Sequence, residues 1–93
     1  MAVSRAERRD ERRPRVAAPF EPSEVEPALD LLELTELAWH DCYGDRNPSE
    51  QQVDDMLLLS GGKLPGLIAS CHLGTTDWRD LKEAADRRRR EQT

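Results

Sequence analysis

Aromatic residues are scarce in this chain. Phe20, Trp39, Tyr43 and Trp78 are the only four among 93 residues, so any core must be built mainly from aliphatic side chains. Lysine is nearly absent, with two against twelve arginines, and there is a single isoleucine and a single asparagine. That bias is what a GC-rich genome produces, and it suggests a high-GC bacterium or a phage living in one. There are only two cysteines, Cys42 and Cys71. No apolar run approaches the roughly 18 to 20 residues needed to cross a membrane, so no membrane partner is expected. No apolar stretch follows the basic N-terminus, so no secretory leader is expected, and the reduced thiols point to the cytoplasm.

Charge is abundant and unevenly placed. The chain carries a net charge of −5. Residues 1–15 hold six arginines against three acids, residues 16–86 hold four basic residues against fifteen acids, and residues 87–93 hold four arginines against one glutamate. An acidic middle of −11 thus lies between two ends of +3. Residues 1–26 combine this charge with Pro14, Pro19 and Pro22 and show no apolar periodicity. Such a segment buries too little surface to offset its ordering entropy, and a disordered, Arg/Pro-rich arm is expected. Phe20 and Val25 are its two residues able to dock on a folded neighbour.

Residues 27–93 read as a small acidic helical domain, all-α, a bundle of three to four short helices. The spacing predicts a first helix from Pro27 to Tyr43, with proline in the first turn and Gly44 as the stop. Ala28, Leu31, Leu32, Leu34, Thr35, Ala38, Trp39, Cys42 and Tyr43 fall on one broad face, with Glu33, Glu36 and His40 opposite. A second helix is expected after Asn47 as N-cap, with Pro48 at the first position, Val53, Met56, Leu57 and Ser60 inward, and Gly61-Gly62 ending it. Leu64 to Leu73 is too short for periodicity to separate strand from buried helix, but no partner strand exists elsewhere, which favours helix. A last helix is expected from Thr75 or Thr76, with Trp78, Leu81, Ala84 and Ala85 on a narrow face. Glu83–Arg87 and Asp86–Arg90 form i,i+4 pairs along it.

His40, Cys42, Cys71 and His72 are the side chains a metal site would use. Residues 40 and 42 diverge by about 160° on a helix and residues 71 and 72 by about 100°, so neither pair chelates one ion; no metal or cofactor is expected. Cys42 reads as a small buried hydrophobe, and His72 as an exposed cation in the last turn of a helix. A Cys42–His72 nucleophilic pair lacks an orienting group and an oxyanion site, so no enzyme is expected. Gly61-Gly62-Lys63 lacks the preceding strand, the spacing and the Ser/Thr of a phosphate loop. The stretch Leu67 to His72, taken as a recognition helix, holds no Arg, Lys, Asn or Gln to read base edges.

What remains is an apolar excess. Leu29 and Leu37 on the first helix, and Leu58 and Leu59 on the second, lie outside the main apolar faces, and a helix apolar on several sides needs neighbours on several sides. The leading expectation is a noncatalytic interaction or regulatory module that uses these leucines and an acidic surface, with itself as a homodimer or with another protein. The alternative is a small nucleic-acid-associated protein whose Arg8, Arg9, Arg12, Arg13, Arg87, Arg88, Arg89 and Arg90 contact phosphates.

Overall fold

The computed structural model describes residues 3–92. Five α-helices make up the architecture: α1 Arg5–Ala17, α2 Val25–Tyr43, α3 Glu50–Ser60, α4 Leu64–Thr76 and α5 Trp78–Gln92, with a 3-10 turn over Pro22–Glu24. Among the described residues there is no strand. The Cα radius of gyration is 12.6 Å, close to the value of about 12 Å for a compact chain of this length.

The N-terminal segment differs most from the sequence expectation. Residues 5–17, read as part of a disordered arm, form α1; residues 1 and 2 lie outside the described residues. A capping box starts the helix. The Ser4 hydroxyl accepts from Glu7 N at 3.1 Å, and Glu7 Oε1 accepts from Ser4 N at 3.5 Å. Pro14 is tolerated inside the last turn, and the chain continues helix-like through Ala18 N to Pro14 O and Phe20 N to Val16 O. Val16 and Phe20 are buried in the common core, and Val25 joins them at the start of α2. The ordering entropy of this segment is offset by what the rest of the chain supplies, an acidic surface that the helix fits.

The start of α2 is Val25, two residues before Pro27, because the 3-10 turn leads directly into it. Its buried residues are Val25, Ala28, Leu29, Leu32, Thr35, Glu36 and Trp39. The face has rotated relative to expectation. Leu29 and Glu36 are inside, whereas Leu34 and Cys42 are exposed. The cause is α1, which packs along the side that would otherwise meet solvent. The expectation of a buried Cys42 is corrected accordingly; Cys71 is the buried thiol.

The caps of α3 are Ser49 and Gly61. Ser49, not Asn47, forms a capping box with Gln52, with the Ser49 hydroxyl accepting from Gln52 N at 3.1 Å and Gln52 Oε1 accepting from Ser49 N at 2.8 Å. Gly61 closes the helix in the left-handed region at φ +63. Gly62, at φ +75, is held by its surroundings as well. A Cβ there would stand 2.4 Å from the Pro19 carbonyl oxygen, so the α3–α4 turn is pressed against the α1–α2 connection. Residues 64–73 are helical as favoured, and α4 runs on to Thr76. Asp77 then separates α4 from α5 and accepts a hydrogen bond from Arg79 N at 2.9 Å. Within α5, Leu81 and Ala85 are buried, Trp78 is 38% exposed, and Asp86 pairs with Lys82 and Arg89.

Candidate functional site

The arginines of α1 are spaced to face one way. With 100° per residue, Arg12 and Val16 lie at the centre of the inward face, Arg8 and Arg15 on one flank, and Arg9 and Arg13 on the other. The acids that meet them recur at helical spacing as well, Glu26, Asp30, Glu33 and Glu36 along α2 and Glu50 and Asp54 on α3. Because Arg8 reaches Glu36, Arg9 reaches Glu33 and Arg13 reaches Glu26, α1 runs antiparallel to α2.

The geometry of this charged seam is dense. Arg8 Nε lies 2.6 Å from Glu36 Oε2, and Arg12 Nη1 lies 3.1 Å from Glu36 Oε1. Arg12 Nη2 reaches Glu50 Oε2 at 3.2 Å, and Arg15 Nη1 reaches Glu50 Oε1 at 2.5 Å. Arg9 lies 2.9 Å from both Asp30 and Glu33 and 3.1 Å from Glu26. Arg13 pairs with Glu26, and Arg15 with Asp54. Hydrogen bonds from Arg13 and Arg9 hold the Glu26 carboxyl below its ordinary range. At Glu50, burial pushes the pKa up but is outweighed by the Arg15 and Arg12 hydrogen bonds, leaving it lowered.

The centre of the seam is the Arg12–Glu36 pair, with side chains 2% and 3% exposed. Two charges removed from water are stabilising only when their geometry compensates the desolvation. Glu36 meets that condition through two arginines. Arg12 meets it less completely, since its Nε is buried with no hydrogen-bond partner among the described residues.

A second surface lies about a third of a turn further round α2. Leu34 and Ile68 are the most exposed large hydrophobics among the described residues, at 62% and 56%, and they line one groove between α2 and α4. Its two parts, of about 290 and 240 Å³, share Leu31, Leu34 and Ile68. Pro27, Asp30 and Leu64 complete one end, and Thr35, Ala38, Cys71, His72 and Thr75 the other. Burial raises the Cys71 thiol to about 11, so it stays protonated and inert near neutrality.

A third concavity lies where α3 meets α5, with adjoining parts of about 530 and 470 Å³ that share Ser49, Gln52 and Trp78. Its acids and bases on α3 and α5 pair with one another. Arg89 Nη2 lies 2.6 Å from Asp55 Oδ1 and Lys82 Nζ 2.7 Å from Asp86 Oδ2. The Tyr43 ring packs against Trp39 in a tilted arrangement with centroids 4.8 Å apart, and its hydroxyl donates to Gly74 O at 2.7 Å and accepts from Trp78 N at 3.1 Å. Burial raises the Tyr43 pKa despite the hydrogen bond from Trp78 N.

The residues singled out by sequence are therefore dispersed. Leu29 is 1% exposed and belongs to the chain's own core. Leu58 and Leu59 are half-buried, and Leu59 packs against the core cluster. Leu37 alone of the four is largely exposed, at 46%. Arg8, Arg9, Arg12 and Arg13 hold acids of the same chain, while Arg87 is exposed, Arg88 half-buried, Arg89 paired with Asp55 and Arg90 exposed. Cys42, His40 and His72 are exposed, and His40 Nε2 lies 2.6 Å from Asn47 Oδ1. Among the described residues no three His, Cys, Asp or Glu side chains are grouped to hold a metal ion. No helix of the described residues is long and apolar enough to cross a membrane. Sequence reasoning missed Leu34 and Ile68, because Leu34 falls within the apolar arc and reads as core. Comparison with protein-family models, with curated proteins and with solved structures finds no match to this chain.

Proposed function

We propose that this protein is a noncatalytic interaction module that receives an amphipathic helix of another protein in the groove between α2 and α4. The observation that carries the reading is the pairing of Leu34 and Ile68, two large aliphatic side chains exposed across one groove. Contiguous exposed apolar surface on a small domain marks a place where another molecule sits. The chemistry of the occupant follows from charge. Asp30 lines one end of the groove, Asp41 continues the Leu31–Leu34–Ala38 stripe at the other, and the chain as a whole carries −5. An apolar helix flanked by lysine or arginine suits that surface, and a second copy of this acidic chain suits it less well. Leu37 is exposed but is not among the residues that line the groove, and Leu29 is taken up by the core.

A photoreactive amino acid at position 34 or 68, introduced in cells of the source organism, tests this. Discrete adducts are expected from both positions and none from position 83 on α5. The crosslinked peptide is expected to be an apolar helix with basic flanks, and Asp41→Lys, which leaves the α1 ion pairs in place, is expected to weaken the adduct. Adducts between two copies of the chain would replace this reading with a homodimer. Equal adducts from all three positions, or none, would overturn it. The nucleic-acid alternative is left with the C-terminal turn, since Arg8, Arg9, Arg12 and Arg13 are engaged with acids of the same chain.

A further inference from the structure

The seam between α1 and the rest of the molecule has the composition of a receptor and its ligand. The receptor is a channel on α2 and α3, walled by Glu26, Asp30, Glu33 and Glu36 on one side and Glu50 and Asp54 on the other, where Val16 of α1 joins the common core. The ligand is a helix with arginines on both flanks of a single valine. We infer that this channel is a binding site for arginine-rich amphipathic helices of other proteins, and that α1 is its resident, displaceable occupant.

Two observations support displacement over a permanent core role, and a third explains why the site is filled at rest. First, α1 buries only Arg12 and Val16, so most of its attachment is ionic, and exposed ion pairs contribute little each and weaken with salt. Second, the fit at its centre is incomplete, since Arg12 Nε is buried without a hydrogen-bond partner among the described residues, which leaves a desolvated donor uncompensated. Third, α1 is joined to α2 by a short connection, Ala18 to Glu24. A short tether gives an effective concentration in the millimolar range, so a modest intrinsic affinity keeps the site filled in the resting chain. A competing helix with better-placed apolar residues between its arginines would take the channel and release α1. This channel shares only Asp30 with the rim of the α2–α4 groove, and the inference stands whether or not that groove binds a partner.

The probe is a fluorescent peptide with the sequence of residues 3–19, titrated into the full chain and followed by anisotropy. Apparent affinity scales with the fraction of chains whose channel is open. The peptide is therefore expected to bind the wild-type chain weakly. Arg13→Ala with Arg15→Ala, which weakens only exposed ends of the resident helix, is expected to tighten peptide binding by about tenfold, and Arg12→Ala by more. In that Arg13/Arg15 variant, where the resident helix no longer uses Asp54, adding Glu50→Gln with Asp54→Asn in the channel is expected to weaken peptide binding, and a scrambled peptide of the same composition is expected not to bind. If Arg12→Ala does not fold, the Arg13/Arg15 variant carries the test. Failure of the peptide to bind that variant while its α2–α5 circular dichroism and melting remain cooperative would overturn the inference. So would equal binding by the scrambled peptide.

Discussion

The two arginine-rich ends of this chain are alike in charge and unlike in what they do. At the N-terminus five of the six arginines stand at 8, 9, 12, 13 and 15, spacing that puts them on one side of a helix, and acids of two other helices meet each of these five. At the C-terminus four arginines stand in succession. Consecutive residues on a helix point about 100° apart, so a run of four encircles the axis. Arg89 reaches the buried carboxylate of Asp55, whereas Arg87 projects to the surface. Spacing, more than number, decides whether a basic segment becomes structure.

The sharpest way to break the contrast is at Glu36. Glu36→Ala removes the acceptor shared by Arg8 and Arg12 and leaves Arg12 buried and charged, which is expected to cost about 3–5 kcal/mol in urea denaturation. Loss of α1 protection before global unfolding is expected in the same variant. Next comes Gly62→Ala, where a Cβ would meet the Pro19 carbonyl oxygen at 2.4 Å in addition to the positive φ. About 2–3 kcal/mol is expected there, against about 1 kcal/mol for Gly61→Ala, which has the same backbone demand and open space around it. Equal costs would mean that the α3–α4 turn does not brace the α1–α2 connection.

The C-terminal end is expected to respond in a graded way. Arg89→Ala exposes the lost partner of buried Asp55, which keeps Gln51 as a donor at 3.0 Å, and is expected to cost about 1–2 kcal/mol. Arg87→Ala and Arg88→Ala are expected to change stability by no more than about 0.5 kcal/mol. Thermal melts of the three variants check the order. The smallest effect is that of mild acid. Glu26 and Glu50 both have folded pKa values below the ordinary 4.5, so their contribution is fully present above that value and is lost as pH falls through the depressed ones. Amide protection in α1 is therefore expected to be flat from pH 7 to 5 and to decline below about 4.5, ahead of that in α3 and α4.

Much of the helical plan was legible in the sequence. Gly44, Gly61 and Gly62 mark real helix ends, and Val53, Met56 and Leu57 are buried as their spacing requires. The N-terminal helix was not read, although two signals for it are present. Ser4 and Glu7 have the spacing of a capping box, and the arginines recur at i, i+4 and i+7. An apolar pattern was sought where the pattern is ionic, and its partners lie 13 to 39 residues away, where local reading does not reach. The same omission misplaced the inward face of α2. Once α1 covers Glu36 and Leu29, Leu34 is left outside, and the groove with Ile68 becomes visible only in three dimensions.

The role assigned to the N-terminal arginines rests most directly on one quantity, the hydrogen exchange of α1 amides in the full chain as ionic strength rises. Raising sodium chloride from 0.05 to 0.5 M shortens the Debye length from about 14 Å to about 4 Å. Exchange of residues 8–17 is expected to accelerate at least several-fold over that range, while core amides of α2 and α3, such as those of Leu32 and Val53, keep their rates. Residues 8–17 exchanging only with global unfolding, at a rate indifferent to salt, would contradict an ionic, displaceable helix.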